Sequence, residues 1–286
     1  MVSGASDDEG CSPGLPVAVA SLVGSAGYVA LVERSRLNGA AGKAIDTAAD
    51  LTADTAVEVT ADTAAEMDIP LTVVFDLGEV LTRPRGLSGL EERLAGLLGV
   101  EEAAFAEAYW AHRDAYDLGG SDIAYWSAVA GALGAPLRPG AVDALVSAEV
   151  DIWTRLDGPS HALVEDLRRQ GTRLALLSNA PHVLARTAER SDWSVHFDRL
   201  MFSADHGIAK PDPAVYRRMT ELLGIPPERV LFFDDRRKNI DAAREHGWDA
   251  RLWTGAVPAR AVLADRGLLP HGPTRDGSTS CGTGSR

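Results

Sequence analysis

The sequence of 286 residues predicts an α/β fold: a doubly wound parallel sheet that carries an inserted helical domain. From Leu71 onward, short apolar runs alternate with amphipathic helical patterns, which is typical of a parallel sheet covered by helices. Residues 71–76 form a nearly continuous apolar run, as expected of a strand buried on both faces. Residues 87–155 read as helices without an intervening strand, which indicates an insertion into the sheet.

The elements follow from local signals in chain order. Two helices are predicted inside the insertion, at 101–117 and at 121–133, and Ser121 caps the second. After residues 158–160 a helix runs to Gly171, and a strand follows at 173–177. Further helix and strand patterns continue to about Leu269. We therefore expect a core domain at 69–86 and 156–269, a helical domain at 87–155, and a disordered tail at 270–286.

The N-terminal extension, residues 1–68, differs from the rest of the chain in composition: it is acidic and of low complexity. Between Asp46 and Glu66 an acidic residue recurs at every fourth position among Ala and Thr. In a helix these like charges would stack, so we expect a disordered, solvated segment. Met67 directly precedes the first strand pattern, which predicts that the functional protein begins near this residue.

Composition and charge argue against several classes of protein. The chain is 45% hydrophobic, and its formal net charge of −13 at pH 7 opposes binding to nucleic acids or anionic membranes. Cys11 and Cys281 are too few for a disulfide framework, which favours a reducing, cytoplasmic location. The apolar run at 16–32 is broken by Gly and Ser and is preceded by acidic residues. We expect it to be neither a membrane span nor a signal peptide.

Polar residues end the predicted strands in a consistent way. Asp76 follows the first strand, Ser178 and Asn179 end the next, Lys210 lies in a Gly/Pro-containing segment, and Asp234-Asp235 follow residues 230–233, with Asn239 one helical turn later. Ligands of open parallel sheets bind at this edge. Clustered carboxylates need a cation, and oxygen ligands suit Mg²⁺. These residue types favour phosphoryl transfer through an aspartyl-phosphate. Each residue alone has an ordinary structural alternative as a turn or helix cap, and the combination is what indicates function.

The four motifs, in this order, resemble those of the haloacid dehalogenase superfamily over about residues 71–269. The resemblance implies a Rossmann-like core in which Asp76 is the nucleophile. It also implies that Ser178, Asn179 and Lys210 bind the phosphate, with Ser178 and Lys210 counted as catalytic. It further implies that Asp76, the Gly78 carbonyl and Asp235 bind the magnesium ion, and that Asp234 supports this site. The insertion at 87–155 resembles the family's helical C1 cap, which closes over the site and selects the substrate.

One position departs from the family pattern. Phosphatases of this family usually carry a second Asp two residues after the nucleophile, where it acts as general acid and base, and this chain has Gly78 there. Losing such a group costs about 10²–10⁴-fold in rate. Glu79, a water or a good leaving group are the open substitutes. The first motif begins with Asp76-Leu77-Gly78, which resembles the first motif of sugar-1-phosphate phosphatases in the same superfamily.

The resemblance predicts a Mg²⁺-dependent phosphatase that acts on a small phosphorylated metabolite. A regulatory protein that binds phosphate and metal without turnover stays open because of Gly78. A metal-independent 2-haloacid dehalogenase is the lowest-ranked alternative, because it has no use for the Asp234-Asp235 pair. A phosphonatase is disfavoured because the chain has lysine only at 43, 210 and 238, outside the insertion. A phosphomutase is disfavoured because it depends on the missing acid.

Aromatic and charged residues of the insertion are candidates for substrate contacts because they suit sugar or nucleotide faces and phosphates. They are Tyr109, Trp110, His112, Arg113, Tyr116 and Trp126. At helical spacing, such aromatics commonly form the core of a helical domain instead.

Overall fold

The structure is a computed structural model that describes residues 69–82 and 89–271. The expectations for the N-terminal extension, for a start near Met67 and for residues 272–286 lie outside these residues. In the described ranges no helix has the length and apolar character that crossing a bilayer requires.

The core is a five-stranded parallel sheet in the order β3-β2-β1-β4-β5. Its strands are β1 (Thr72–Phe75), β2 (Arg173–Ser178), β3 (Arg199–Phe202), β4 (Val230–Asp234) and β5 (Asp249–Leu252). Phe75 of β1 is in register with Leu176 of β2 and with Phe233 of β4. The residues that end these three strands therefore lie side by side. The strand order reverses at β1, which is where ligands bind in open α/β sheets.

Helices cover both faces of the sheet, as the alternating pattern predicts. They are α6 (Gly158–Arg169), α7 (His182–Glu189), α8 (Ser203–His206), α9 (Pro213–Leu223), α10 (Arg237–Glu245) and α11 (Ala256–Asp265), with 3₁₀ segments at Asp192–His196 and Pro227–Arg229. Val73 and Phe75 join one apolar cluster together with residues of α6, α7 and α11. Val74 joins the other cluster, with residues of α9 and α10. Successive residues of a strand point to opposite faces, so both faces of β1 are buried.

The helical insert lies between β1 and β2. Its helices are α1 (Leu90–Leu98), α2 (Glu102–Ala111), α3 (Arg113–Asp117), α4 (Asp122–Ala132) and α5 (Ala141–Trp153). The chain leaves the core at Thr82 and returns at Leu156, and an antiparallel bridge joins these two residues. The side chain of Ser121 accepts a hydrogen bond from the Ala124 amide, as its predicted capping role requires.

The helix predicted over residues 101–117 is divided in the structure. It ends at Ala111, His112 caps it with φ −105° and ψ 3°, and Arg113 starts a new helix. The break turns the Arg113 side chain inward, where its guanidinium donates to the hydroxyl of Tyr109 at 2.5 Å. Both halves are helical in pattern, so the sequence does not reveal the break.

Trp126 lies in the core of the insert, with no exposed surface. Its ring is 6.5 Å from that of Phe105, 6.1 Å from that of Tyr109 and 4.9 Å from that of Tyr125, measured between centroids. Tyr116, which is 1% exposed, stacks on Tyr125 at 4.2 Å. These contacts place Trp126 and Tyr116 among the structural aromatics and correct the expectation that they contact the substrate.

We predict that Trp126→Ala lowers the free energy of unfolding by about 3–5 kcal/mol, because it leaves a large cavity in the insert core. Trp110→Ala is the matched control, since Trp110 is 38% exposed on the same domain and its truncation opens no internal cavity. Urea denaturation followed by circular dichroism gives both values. Equal losses in the two variants would contradict the core assignment.

Candidate active site

The candidate active site lies where β1, β2 and β4 end. Asp76 follows β1, and its amide donates to the carbonyl of Phe233 at 2.9 Å, which extends the ladder by one residue. Asp234 ends β4 and Ser178 ends β2. The parallel register thus brings together three polar side chains that are separated by more than 150 residues of sequence between the first and the last.

Lys210 joins the ends of these three strands. Its Nζ lies 2.8 Å from Asp76 Oδ1, 2.8 Å from Asp234 Oδ2 and 2.8 Å from the carbonyl oxygen of Leu177. The residue is only 4% exposed. A lysine ammonium has three donors, and here each faces an oxygen atom. The ammonium therefore both neutralises and positions the carboxylates around it.

Asp234 is fully occupied by groups of the protein. Its Oδ1 accepts from the amide of Arg236 at 2.8 Å, and Nδ2 of Asn239 lies 3.0 Å from each of its two oxygens. Oδ2 also accepts from Lys210, and the residue is completely buried. With both oxygens bonded, Asp234 is held in one orientation. Its geometry suits the supporting role that the sequence predicted.

Asn179 has a positioning role in the structure. Its Nδ2 donates to the carbonyl oxygen of Lys210 at 2.9 Å, and its Oδ1 accepts from the Lys210 amide at 2.8 Å. This reciprocal pair ties the end of β2 to the backbone that carries the lysine. Asn179 also borders the cavity, so its second Nδ2 hydrogen stays available for the phosphate contact that the sequence predicts. Ser178 borders the cavity too and is 4% exposed.

The carboxyl groups carry an excess of negative charge. Burial raises the pKa of Asp76 to about 7; Lys210 opposes this shift, whereas Asp234 and Asp235 add to it. Burial alone would lower the pKa of Lys210, but the carboxylates of Asp234 and Asp76 raise it above its ordinary value. Burial also raises the pKa of Asp235, and the neighbouring Asp234 and Glu79 add to the shift. A single ammonium does not balance this cluster.

A divalent cation fits this donor set. Asp76, Asp234 and Asp235 each offer a carboxylate oxygen, and these atoms lie within 4.8 Å of one another. Hard oxygen donors of this kind suit Mg²⁺, which binds to proteins through one or two carboxylates and keeps several waters. Because Asp234 is already bonded, Asp76 and Asp235 are the carboxylates that remain for a metal. Gly78 borders the same cavity.

The turn after Asp76 is shaped by the insert. A Cβ atom on Gly78 would lie 3.2 Å from Cζ3 of Trp153, the last residue of α5. Trp153 therefore occupies the space next to the position where relatives of the predicted family carry their second Asp. The next residue, Glu79, has a left-handed backbone with φ 57°, which is costly for a residue with a side chain. Its carboxyl group neighbours that of Asp235 and contributes to the raised pKa of Asp235.

The cavity above these residues has a volume of about 360 Å³. The core contributes the strand-end residues with Arg236 and Lys238, and the insert contributes Trp110, Arg113, Asp114, Asp117 and Trp153. Of the predicted substrate candidates, Trp110 and Arg113 line the cavity. His112 and Tyr109 do not line it, and Tyr116 and Trp126 are buried in the insert core.

Arg113 is held in place by a buried network. Its guanidinium donates to Glu149 and to Tyr109, and its Nε lies 2.7 Å from Oδ1 of Asp117. Nε1 of Trp153 also donates to the Tyr109 hydroxyl, at 3.1 Å. Arg113 and Trp153, two residues of the cavity wall, thus share the Tyr109 hydroxyl as an acceptor, which fixes them relative to each other. The network was not predictable from the sequence because it joins three helices: Tyr109 lies on α2, Arg113 and Asp117 on α3, and Glu149 and Trp153 on α5.

Arg236 is a further cavity residue, which the strand-end motifs do not predict. It directly follows the Asp234-Asp235 pair, and its guanidinium lies 5.7 Å from the centroid of the Trp110 ring. This cation–π contact joins core and insert across the cavity mouth. Its position next to the acidic pair was the signal in the sequence that could have identified it.

A family comparison identifies the class of protein. The family model of haloacid dehalogenase-like hydrolases matches residues 70–247, which is more than half of the chain, and the chain belongs to this family. The core sheet, the order of the strand-end motifs and the helical insert agree with this assignment.

Curated relatives of the chain include phosphatases. A phosphoserine phosphatase of Thermus thermophilus is 32% identical over 116 residues, which cover 40% of this chain and 42% of that protein. The GMP/IMP nucleotidase YrfG of Escherichia coli is 35% identical over 127 residues, which cover 42% of this chain and 56% of that protein. The chain thus spans about half the length of the curated relatives that it matches.

Solved structures share the fold at low identity. A crystal structure of a dehalogenase has a TM-score of 0.52 at 22% identity and covers 64% of this chain and 84% of its own. An enzyme of the same family from Bacteroides thetaiotaomicron, in complex with magnesium and inorganic phosphate, has a TM-score of 0.51 at 18% identity. That match covers 65% of this chain and 96% of the other.

The raised pKa of Asp76 predicts a pH-dependent stability of the metal-free protein. The unfolded carboxyl titrates near its ordinary 3.8 and the folded one near 7, so between these values the folded state binds the proton more tightly. The stabilising contribution of this group is complete below the lower pKa and is lost as the pH rises through the higher one.

Asp76→Asn cannot ionise, so its free energy of unfolding should fall less than that of the parent protein between about pH 4 and pH 7. Urea denaturation in EDTA at a series of pH values measures the difference. Asp241→Asn, an exposed carboxyl on α10, is the control and should follow the parent curve. Parallel curves for Asp76→Asn and the parent would show that the Asp76 pKa is not raised.

The contact between Gly78 and Trp153 predicts an energetic coupling. Gly78→Ala should cost about 1–3 kcal/mol of stability because its Cβ crowds the indole ring, and it should cost less in a Trp153→Leu background. Gly96→Ala is the control, because a Cβ there meets nothing within 4 Å and Ala favours the helix. If Gly78→Ala costs the same in both backgrounds, the two residues are not coupled.

Proposed function

We propose that this chain is a Mg²⁺-dependent phosphatase that hydrolyses the phosphoric monoester of a small soluble metabolite. The observation that carries the proposal is the placement of Asp76. Its carboxylate lies beside the Lys210 ammonium and the Asp235 carboxylate, at the floor of a cavity bordered by the helical insert. This is the arrangement that a nucleophile needs to approach a phosphate dianion.

In the first step, an oxygen of Asp76 attacks the phosphorus atom of the ester, and the bond from phosphorus to the leaving alcohol breaks. The Lys210 ammonium, 2.8 Å from Asp76 Oδ1, offsets negative charge as it develops, and the Ser178 hydroxyl donates a hydrogen bond to a phosphoryl oxygen. A bound Mg²⁺, held by Asp76, Asp235 and the Gly78 carbonyl, would supply charge neutralisation between carboxylate and phosphate.

In the second step, a water attacks the phosphorus of the aspartyl-phosphate, releases inorganic phosphate and regenerates the Asp76 carboxylate. The position two residues after the nucleophile offers no side-chain acid, since it is Gly78. The leaving alcohol therefore takes its proton from water or departs as the anion. We propose that turnover is correspondingly slow on esters of poorly acidic alcohols.

The insert is proposed to act as the substrate-selecting cap, with the core at residues 69–86 and 156–269 and the cap at 87–155. Its support is the cavity wall, where Trp110 and Arg113 of the insert face the strand-end residues of the core. Phosphatases among the relatives, including a phosphorylated carbohydrates phosphatase of Thermotoga maritima at 31% identity over 85 residues, favour a small phosphorylated substrate. The magnesium and phosphate in the Bacteroides enzyme favour the cofactor.

A small soluble substrate also agrees with the net charge of −13, which opposes binding to nucleic acids or membranes. The scarcity of cysteine supports the proposal that the protein works in the cytoplasm.

We predict that Asp76→Asn lowers the rate of phosphate release by about 10³-fold or more, because the amide is not a nucleophile. The measurement is phosphate release by the full chain from a panel of sugar phosphates, nucleotides and phosphoserine. It is made with Mg²⁺, with EDTA, and again after Mg²⁺ is added back. Asp241→Asn, on the exposed surface of α10, should retain the parent rate.

The same assay separates the competing functions. If EDTA abolishes release and Mg²⁺ restores it, the phosphatase proposal is supported. If the folded protein binds phosphate with Mg²⁺ but releases none from any ester, the chain is a binding protein and the proposal fails. If EDTA leaves halide release from 2-haloacids unchanged while phosphate release is absent, the chain is a dehalogenase.

A further inference from the structure

A second group of metal-binding side chains lies on the surface of the core, away from the strand-end carboxylates. His161 and Glu165 belong to α6, and His196 is the last residue of the 3₁₀ segment Asp192–His196. Each offers one ligand atom, and the three atoms lie within 4.8 Å of one another. We propose that these three residues form a binding site for a divalent transition metal, with Zn²⁺ as the best-fitting ion.

The spacing on α6 suits chelation. His161 and Glu165 are four residues apart and so lie on the same face of the helix, one turn from each other. Nε2 of His161 is 3.8 Å from Oε1 of Glu165, longer than a hydrogen bond. Two atoms bound to one zinc ion lie at about 2.0–2.2 Å from it, so small side-chain rotations bring this pair to the required separation.

His196 supplies the third ligand from the opposite side. Its ring centroid lies 6.0 Å from that of His161, with the two planes at 57°. In the residues that the structure describes, neither imidazole takes part in a hydrogen bond. The ring nitrogens therefore keep the lone pairs that a metal needs, and both side chains are partly exposed to solvent.

The two elements that carry the ligands are held firmly relative to each other. Trp193, in the 3₁₀ segment, is 6% exposed, and its Nε1 donates to the carbonyl oxygen of Thr154 at 2.9 Å. Phe197 follows His196 directly and is 9% exposed. On α6, Leu163 and Val164 are fully buried. Buried residues thus fix the backbone on both sides, which limits the entropy lost when a metal orders the three side chains.

The chemistry of the donors selects the ion. Two imidazole nitrogens and one carboxylate oxygen suit Zn²⁺ and related transition metals, whereas Mg²⁺ prefers oxygen donors alone. Three protein ligands leave a fourth tetrahedral position for water. A metal here would join the 3₁₀ segment to α6 beside Thr154, where the chain returns from the insert to the core.

The test is a calorimetric titration of the full chain with ZnCl₂ in saturating Mg²⁺. Cys11 and Cys281 are first replaced by Ser, so that thiolates do not bind the added zinc. We expect one site per chain that His196→Ala and Glu165→Gln each weaken about tenfold or more. His182→Ala is the matched control, because His182 is another exposed histidine paired with a carboxylate, that of Asp205 at 3.1 Å. It should leave the affinity unchanged.

A second readout identifies the ligands. Bound Co²⁺ in a tetrahedral site with nitrogen donors gives strong visible absorption, which octahedral Co²⁺ with oxygen donors does not. We expect this absorption in the parent protein and its loss in His196→Ala. The proposal is overturned if the chain takes up no zinc, or if His196→Ala binds zinc as tightly as the parent. It is also overturned if Asp235→Asn, but not His196→Ala, removes the binding.

Discussion

The candidate site depends on one buried ammonium group. The ends of β1 and β4 are neighbours in the sheet, so Asp76 and Asp234 come together in a region with little water. Two carboxylates whose oxygens lie within 4.8 Å of each other repel strongly in surroundings of low dielectric constant. The Nζ atom of Lys210 lies 2.8 Å from each carboxylate and 2.8 Å from the carbonyl of Leu177. The ammonium lowers the pKa of Asp76 against the effect of burial and so favours the ionised form of that carboxyl.

Two asparagines extend this control outward. Asn239 bonds both oxygens of Asp234, and Asn179 bonds both the amide and the carbonyl of Lys210. Asn239 uses its Nδ2 donor to hold the Asp234 carboxylate, and Asn179 uses both its donor and its acceptor to hold the backbone of Lys210. A site built in this way keeps its geometry before the substrate arrives, which is the condition for effective electrostatic stabilisation. Both asparagines therefore hold the charged residues of the site in position.

The predictable parts of this molecule follow from local chemistry. The apolar runs before Asp76 and Asp234 predict buried strands, and parallel pairing then requires their ends to meet at one edge. The roles within the insert were not predictable in this way. Helices α2 and α4 are apolar around most of their circumference, so their sequences do not reveal which face is buried. The burial of Trp126 and the exposure of Trp110 depend on how the helices pack, and their residue type is the same.

The pair of Gly78 and Trp153 shows why a missing residue has to be interpreted together with its surroundings. The two positions are far apart in sequence, yet a Cβ at Gly78 would lie 3.2 Å from the indole ring. The insert thus fills part of the space that a side-chain acid would use, and it fixes Trp153 through Tyr109. Under the proposed function, the site therefore has the indole ring of Trp153 where a side-chain proton donor would otherwise lie. Such a site is suited to phosphate esters whose alcohol leaves readily as its anion, because those esters need little help from an acid.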